Sequence, residues 1–213
     1  MFITFEGLDG AGKTTQIERL RRRLEDLGTR VVMTREPGGT PIGDALRAML
    51  LDPGQTSLSP HTEALLYAAS RAQLLAEVIR PALNESGIVI CDRYVDASIA
   101  YQGAGLQLGT EAVGSVNAFA TGGLQPDLTI LMDLPVDESR HRVSESLRTT
   151  GPDRIEQRDA EYFGRVRKAF REIAQHEPHR VVVVDARKTP EELEQEIWYL
   201  VSNRLNIIKG TRG

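Results

Sequence analysis

The sequence predicts a doubly wound α/β fold, in which a five-stranded parallel sheet is covered by helices on both faces. Short apolar runs rich in β-branched residues alternate along the chain with longer segments of helical periodicity. The apolar runs lack strict polar–apolar alternation, which indicates strands that are buried on both faces. Strands that alternate with helices form right-handed βαβ units, and such units build a parallel sheet.

Five short segments have the composition of buried strands. They are residues 2–6 (FITFE), 30–34 (RVVMT), 87–91 (GIVIC), 128–134 (LTILMDL) and 180–185 (RVVVVD). Cys91, the single cysteine of the chain, ends the third segment. A small buried hydrophobic residue is the favoured interpretation of Cys91, ahead of a reactive thiol, and a lone cysteine excludes an intramolecular disulfide.

Five longer segments have helical periodicity, and they are residues 13–28, 59–87, 136–147, 160–176 and 190–204. Gly28 is expected to end the first helix. Pro81 is expected to kink or interrupt the second helix near its C-terminal end, because proline removes a backbone hydrogen bond. Thr189 is expected to be the N-cap of the last helix, and residues 207–213 are expected to form a frayed tail.

Length and composition suit a single globular domain that spans residues 1–213. The 213 residues are 40% hydrophobic and 26% charged, and no linker is long enough to separate two domains. The net charge of −4 argues against a surface that coats nucleic acid. The sequence has no apolar, uncharged window of about 18 residues that predicts a membrane span. The N-terminus does not resemble a signal peptide, so we expect a cytoplasmic protein.

Residues 7–14 (GLDGAGKT) fit the phosphate-loop pattern G-x-x-x-x-G-K-[ST] between a predicted strand and a predicted helix, which is the context that the motif requires. Glycines let the backbone turn its N–H groups toward phosphate oxygens, and the start of the helix adds positive potential. Lys13 is expected to reach the β- and γ-phosphates, and the Thr14 hydroxyl to bind Mg²⁺. The sequence therefore predicts a nucleoside triphosphate site at Gly7, Leu8, Asp9, Gly10, Ala11, Gly12, Lys13, Thr14 and Thr15.

Polar residues that follow two other strands predict a second, phosphorylated substrate. Asp92 and Arg93 end the third strand, where a carboxylate can hold Mg²⁺ and an arginine can bind phosphate bidentately. Arg35 follows the second strand, and the Gly38-Gly39 pair allows a close backbone approach. An Asp–Arg ion pair and an ordinary turn are the plainer alternatives. The sequence contains no guanine-reading N-K-x-D motif, which disfavours a switch GTPase.

Two further groups of residues suggest a site for a base and a sugar. Tyr67 and Arg71 are four residues apart and share a helix face, where they can stack on a base and hydrogen-bond to it. An ordinary amphipathic contact is the alternative interpretation of this pair. Ser98, Tyr101 and Gln102 are expected near the same crevice.

The phosphate loop has Gly10 and Ala11 at positions where a cationic side chain can reach phosphates. Phosphoryl transfer needs positive charge around the γ-phosphate, and arginine commonly supplies it. The segment 140–158 is rich in arginine, and we interpret it as a lid that closes over the substrates. A solvated pair of charged helices is the alternative. The arginines of this segment are Arg140, Arg142, Arg148, Arg154 and Arg158.

Six stretches of the sequence occur in the order found in thymidylate kinases. They are FITFEGLDGAGKTT, TREPGGTPIGDALR, ALLYAASRAQ, DRYVDASIAYQG, PDLTILMDL and DRIE. The chain resembles the bacterial members of this family over nearly its whole length. The resemblance implies the fold of P-loop nucleoside monophosphate kinases. It also implies transfer of the γ-phosphoryl group of ATP to dTMP, which gives dTDP and ADP for dTTP and DNA precursor synthesis. Family members are typically Mg²⁺-dependent homodimers.

The resemblance also implies roles for individual residues. Asp9 faces the 3′-hydroxyl of dTMP, Tyr67 takes the place of an aromatic residue that stacks on thymine, and Tyr101 crowds the 2′ position. Arg71 bonds a base carbonyl, and Ala97 stands where the family usually has serine. The dTMP-binding set is Asp9, Arg35, Glu36, Pro37, Tyr67, Arg71, Arg93, Ser98, Tyr101 and Gln102. The catalytic set is Lys13, Arg93, Arg148 and Arg154, and the metal ligands are Thr14 and Asp92.

Two other functions fit parts of the sequence. A kinase that acts on a different nucleoside or nucleotide would use the same phosphate loop. A nucleotide-dependent switch that binds a partner protein would also need this loop, but it has no need for the acceptor motifs REPGG and DRY…AYQ.

Overall fold

The sheet has the predicted architecture. The computed structural model describes residues 1–85, 87–146 and 151–210. Five strands, all parallel, form one sheet in the order β2-β3-β1-β4-β5. The strands are β1 Phe2–Glu6, β2 Val31–Arg35, β3 Ile88–Asp92, β4 Leu128–Asp133 and β5 Val181–Asp185. Each predicted strand boundary is confirmed to within one residue. The prediction was accurate because buried β-branched runs between turns are a local signal.

The core lies on both faces of this sheet, as the apolar strand pattern predicted. Strand β1 is buried along its whole length. One face packs against helices that contribute Leu20, Leu24 and Ile197. The other face packs against a second group that includes Val166 and Phe170. The prediction of helices on both faces is therefore confirmed.

The described part of the chain contains helices that the sequence did not predict, in addition to the predicted ones. They are α1 Lys13–Asp26, α2 Pro41–Leu51, α3 Pro60–Leu74, α4 Arg80–Asn84, α5 Val95–Ser98, α6 Thr110–Thr121, α7 Val136–Ser146, α8 Ala160–His176 and α9 Pro190–Gly210. Two π-helical stretches, Leu75–Ile79 and Ile99–Gly105, follow α3 and α5. Helices α2, α5 and α6 were not predicted. Helix α6 buries only Val113, Asn117 and Thr121, so its apolar stripe is weak.

The second predicted helix is interrupted just before Pro81. Helices α3 and α4 are joined by the π-helical stretch, which ends two residues before Pro81. In a regular α-helix the ring of Pro81 would clash with the Glu77 carbonyl, and the wider π turn, in which the Arg80 N–H donates to the Leu75 carbonyl, avoids this clash. The predicted interruption is therefore confirmed.

The boundaries of the last helix were predicted well at one end only. The Thr189 hydroxyl accepts from the Glu192 N–H at 3.3 Å, and Glu192 Oε2 accepts from the Thr189 N–H at 2.9 Å. This capping box confirms Thr189 as the N-cap. At the other end the helix continues to Gly210, beyond the predicted end at residue 204. It contains no glycine or proline between Glu191 and Lys209.

The remaining predictions about the chain concern Cys91, the lid and the membrane. Cys91 is completely buried and burial raises the pKa of its thiol, which confirms it as a small core residue. Arg148 of the predicted lid and the end of the predicted tail, residues 211–213, lie outside the described residues. Within the described ranges, no helix combines the length and the apolar character needed to cross a bilayer.

Candidate active site

The phosphate loop joins β1 to α1 at the carboxyl edge of the sheet. Gly7, Gly10 and Gly12 have φ angles of 129°, 76° and 88°, in the region that favours glycine. A Cβ atom at Gly7 would overlap the backbone carbonyl oxygen of Met132 in the adjacent strand β4. The loop therefore passes so close to the sheet that only a residue without a side chain fits at its first position.

Lys13 is a buried cation under this loop. Its Nζ donates to the carbonyl oxygens of Gly7 at 3.2 Å and Leu8 at 3.0 Å. Burial lowers the pKa of Lys13, and the nearby positive charge of Arg93 lowers it further. The backbone thus holds the ammonium group in place at the start of α1, beside the loop that the sequence predicted to bind phosphates.

Arg93 links the phosphate loop to the chain that follows β3. Its Nη1 donates to the Gly7 carbonyl at 2.9 Å, and its Nη2 donates to Asp9 Oδ1 at 2.7 Å. The Arg93 guanidinium also lies 5.0 Å from the centroid of the Tyr101 ring. Burial tends to raise the pKa of Asp9, but Arg93 and Lys13 outweigh it and lower that pKa. Asp9 is therefore held as a carboxylate that faces a fixed arginine.

The backbone of Arg93 is strained, and Glu6 supports it. Arg93 has a φ of 70°, which is uncommon for a residue with a side chain. Glu6 Oε1 accepts from the N–H of the next residue, Tyr94, at 2.7 Å. Burial raises the pKa of Glu6 to about 8, and nearby Asp96 adds to this effect. Glu6 was not singled out from the sequence, because its partner is 88 residues away.

The phosphate loop opens into a cleft that also contains four of the predicted dTMP-binding residues, Asp9, Arg35, Glu36 and Arg93. Thr14 and Thr15 are exposed at the start of α1, and Arg35 and Asp92 line the same cleft. Asp92 Oδ1 is buried, and no hydrogen-bond partner occurs for it in the described part of the chain. An unpaired carboxylate oxygen and an exposed hydroxyl in one cleft are suitable ligands for Mg²⁺.

A second cleft contains most of the predicted dTMP-binding residues. The predicted residues on its walls are Asp9, Glu36, Pro37, Tyr67, Arg71, Arg93, Ser98, Tyr101 and Gln102. Arg35 is absent from this set of lining residues; it is exposed and lies in the phosphate-loop cleft. The structure thus places nine of the ten predicted residues around one cavity, although they come from four different parts of the chain. Ala97, the departure from the family pattern, also lines this cleft.

Arg71 is the most constrained residue of the second cleft. It is 1% exposed, and its guanidinium donates to Ser98 Oγ at 2.9 Å, to the Tyr94 carbonyl at 3.0 Å and to Asn117 Oδ1. It also forms an ion pair with Glu36. Its Nε lacks a partner among the residues that the structure describes. Arg71 therefore retains one donor after its other groups have been fixed in place.

The two clefts meet at a group of charged residues. Asp9, Glu36, Arg47 and Arg93 line both of them. Arg47 was not predicted as a site residue, and its Nη1 donates to the Pro37 carbonyl at 3.0 Å. The sequence signal was present, because Arg47 ends the stretch TREPGGTPIGDALR, but its helix α2 was not predicted.

The arginines of the predicted lid segment divide into two groups. Arg142 on α7 donates to the carbonyls of Gly10 and Ala186, both at 3.2 Å, and so touches the phosphate loop. Arg154 donates to the Leu50 carbonyl and to Glu63, both at 2.8 Å, beside the second cleft. Arg158 also binds Glu63, at 2.5 Å. The sequence grouped these arginines because they are close along the chain, whereas the fold sends them to different walls.

Comparisons with known proteins agree with this geometry. The family model described as Thymidylate kinase matches residues 5–197. A thymidylate kinase of Deinococcus radiodurans is 50% identical over 204 residues, which are 96% of this chain and 97% of that protein. One of Syntrophotalea carbinolica is 48% identical over 212 residues, 98% of each chain. The crystal structure of thymidylate kinase from Ehrlichia chaffeensis superposes with a TM-score of 0.76 at 32% identity, covering 94% of this chain and 98% of that one. The chain belongs to the thymidylate kinase family, the ATP-dependent kinases of dTMP.

Proposed function

We propose that the chain transfers the γ-phosphoryl group of ATP to dTMP where its two clefts meet, giving dTDP and ADP. The observation that carries this proposal is the shared wall of Asp9, Glu36, Arg47 and Arg93. A triphosphate in the loop cleft and a monophosphate in the second cleft would bring their phosphates together at this wall. Holding two reactants in this way removes much of the entropic barrier to their reaction.

The donor side has the groups that a triphosphate requires. The glycine-rich loop and the start of α1 offer backbone N–H groups and a positive helix end. Lys13 provides the cation next to the loop, held by two carbonyl oxygens. We assign Lys13 to the β- and γ-phosphates, where positive charge stabilises the transferring group.

A Mg²⁺ ion belongs to this proposal, and the residues present fit it. Thr14 and Asp92 line the same cleft, and Asp92 has the buried, unpaired oxygen described above. These two residues would hold the ion, with phosphate oxygens and water completing its preferred six ligands. When bound, Mg²⁺ supplies charge neutralisation on the phosphates.

The acceptor side fits a nucleoside monophosphate. We assign Tyr67 to stacking on the base and the free Nε of Arg71 to a base carbonyl, because both residues line this cleft. We assign Tyr101 to the side of the sugar that would carry a 2′-hydroxyl, and Arg93 and Arg47 to the phosphate, since all three line this cleft. The second pKa of a phosphate monoester is about 6, so at neutral pH the attacking oxygen already lacks its proton. The site therefore needs no strong general base.

Two lid arginines complete the proposed catalytic set. Arg148 and Arg154 remain our candidates for the cation that the phosphate loop lacks. Arg154 has a buried Nη2 without a partner in the described ranges, although its other nitrogens are bonded. That nitrogen is the group through which Arg154 would contact a phosphate oxygen.

The proposed function is tested by measuring ADP release with a panel of acceptors. The panel contains dTMP, dUMP, AMP, CMP and thymidine, each at saturating ATP and Mg²⁺. We expect dTMP to have the highest kcat/KM and thymidine to be inactive, because it has no phosphate for Arg93. A slow release of ADP that no acceptor accelerates would instead support a nucleotide-dependent switch.

Asp9→Asn is expected to raise the KM for dTMP by about tenfold or more, while the KM for ATP stays within about twofold. The change removes the anion that holds Arg93 at 2.7 Å and that we assign to the 3′-hydroxyl of dTMP. A hydrogen bond to a charged group contributes about 1.5–3 kcal/mol. Steady-state kinetics with each substrate varied in turn provides the measurement.

Two controls make the Asp9 experiment specific. Asp26→Asn alters an exposed aspartate at the end of α1 and should leave both KM values unchanged. With 3′-deoxy-dTMP as acceptor, the penalty of Asp9→Asn should shrink, because this substrate lacks the hydroxyl. Equal KM values for dTMP in the wild type and Asp9→Asn contradict the assignment.

We also propose that the protein is a homodimer. The helices α2, α3 and α6 pack side by side, and each carries exposed apolar side chains. Phe119 is 91% exposed and Leu65 is 57% exposed, with Ile42 and Met49 also on the surface. A monomer would leave this apolar face in water, whereas a second copy of the chain would cover it.

The single buried cysteine suits a reducing compartment, and we propose the cytoplasm.

Phe119→Asp is expected to convert the dimer to a monomer. A carboxylate in the centre of an apolar interface is costly to bury, so the affinity between subunits should fall by at least about a hundredfold. Light scattering coupled to size-exclusion chromatography measures the mass directly. Tyr199→Asp, at an exposed tyrosine on α9, is the matched control and should leave the mass unchanged. A wild-type monomer, or a dimer that survives Phe119→Asp, contradicts the proposal.

A further inference from the structure

Glu63 is a buried carboxylate that lies behind the second cleft. It is 1% exposed, in the first turn of α3. Its Oε1 accepts from Gln102 Nε2 at 3.0 Å. Its Oε2 accepts from Arg154 at 2.8 Å and from Arg158 at 2.5 Å. Glu63 does not line the cleft, whereas Gln102 does, so the contact joins a hidden charge to a wall residue.

This contact determines which way the Gln102 amide points. An ionised carboxylate has only acceptor atoms, so the partner of Glu63 must be the NH₂ group of Gln102 and not its oxygen. Rotation of the amide by half a turn would place two acceptor oxygens against each other. The Gln102 carbonyl oxygen therefore points away from Glu63. Since Gln102 is on the cleft wall, the wall gains a hydrogen-bond acceptor there.

The surroundings hold Glu63 and Gln102 in this arrangement. The two arginines fix the Glu63 carboxylate through Oε2, the oxygen that Gln102 does not use. Arg158 also donates to the Tyr162 hydroxyl at 2.5 Å, and that hydroxyl donates to the carbonyl of Tyr101 at 3.2 Å. Tyr101 directly precedes Gln102, so side chain and backbone are restrained by one connected network. Such a network fixes a polar side chain more firmly than a single bond does.

We propose that Glu63 is a specificity-determining positioning residue, which orients Gln102 so that the cleft selects a base with a ring N–H donor. The inference rests on the proposed placement of the acceptor base in this cleft. Arg71 offers a donor from its free Nε, and Gln102 offers an acceptor. Thymine and uracil carry a carbonyl next to a ring N–H and match this pair. Cytosine carries an amino group next to an unprotonated ring nitrogen, so both of its groups are mismatched.

The test compares kcat/KM for dTMP, dUMP and dCMP in the wild type and in Glu63→Gln. The new amide can donate or accept, so it no longer fixes the Gln102 orientation. We expect kcat/KM for dTMP and dUMP to fall together, by about tenfold, mainly through KM. The value for dCMP should fall less, so the ratio of dTMP to dCMP should drop; a loss through Arg154, which Glu63 also binds, would lower the values of all three nucleotides alike. An unchanged ratio of dTMP to dCMP in Glu63→Gln overturns the inference.

A double-mutant cycle shows whether Glu63 acts through Gln102. Gln102→Met keeps a side chain of similar length but has no amide to orient, so it should lose discrimination by itself. Adding Glu63→Gln to that variant should change the ratio of dTMP to dCMP no further. Arg158→Lys is the matched control, because it keeps the positive charge beside Glu63 Oε2 and leaves the Gln102 contact at Oε1 intact, so it should preserve the ratio. An equal effect of Glu63→Gln in both backgrounds overturns the inference.

The experiment remains decisive if Glu63→Gln does not fold. Circular dichroism would reveal this, and Gln102→Met alone must then lose the discrimination between dTMP and dCMP; an unchanged ratio overturns the inference. Failure of the proposed function has a different signature, since the wild type itself would then phosphorylate none of the three nucleotides. If the wild type prefers dTMP but the variants keep the same ratio of dTMP to dCMP, only the proposed role of Glu63 is contradicted.

Discussion

Replacing Lys13 with alanine is expected to lower kcat for phosphoryl transfer by at least about a thousandfold. Lys13 is the cation at the start of α1, and two backbone carbonyls hold its ammonium group under the phosphate loop. A charge that is positioned before the reaction stabilises the transition state without reorganisation. Alanine removes the positive charge of Lys13 and the long side chain that carries it to the phosphates. Water in the cleft would not replace that charge.

The Lys13 measurement is single-turnover transfer at saturating ATP, Mg²⁺ and dTMP, which separates chemistry from product release. The affinity for dTMP should change far less than the rate, because Arg93 keeps its bonds to Gly7 and Asp9. Lys168→Ala changes an exposed lysine on α8 and should retain the full rate. A rate within about tenfold of the wild type in Lys13→Ala would show that Lys13 does not carry this role.

Gly7→Ala is expected to destabilise the fold by about 3 kcal/mol or more and to remove activity. The new methyl group would overlap the carbonyl oxygen of Met132, which is part of the sheet and cannot move independently. The φ of 129° adds strain for any residue with a side chain. The protein can respond only by shifting the loop away from β4, which also moves the groups that face the phosphates.

Urea denaturation followed by circular dichroism measures the loss of stability in Gly7→Ala. Gly164→Ala is the matched control, because Gly164 is within α8 and a Cβ atom added there would meet no described atom within 4 Å outside its own helical turn. Alanine is favoured over glycine in a helix by about 0.5–1 kcal/mol, so this variant should be slightly more stable. Equal free energies of unfolding for Gly7→Ala and the wild type would contradict the steric argument.

The sequence was most informative where the determinants are local. The strands and the phosphate loop depend on short patterns, and their positions were predicted closely. Glu63 was missed because its partners Gln102, Arg154 and Arg158 are 39, 91 and 95 residues away. A glutamate on a helix is usually exposed, and no local pattern shows that this one is buried.

The predicted acceptor residues show the same division between local and long-range information. Tyr67 and Arg71 were paired because helix geometry places residues four apart on one face, and both line the second cleft. Asn117, which binds Arg71, was missed together with its weakly patterned helix α6. Arg35 was assigned to the acceptor because it follows a strand, but the position of a long side chain at a sheet edge depends on its neighbours.

The packing of α7 on Gly10 has a consequence for how such a kinase can obtain its catalytic cation. A Cβ at Gly10 would lie 3.0 Å from Arg142 Cβ and 3.2 Å from the Ser139 carbonyl oxygen. A Cβ atom alone would require α7 to give by a few tenths of an ångström, and a longer side chain would compete with α7 for the same space. An arginine at this loop position and a helix packed this closely on the loop are therefore competing arrangements. Exchanging one for the other therefore concerns the packing of α7 as well as the loop residue.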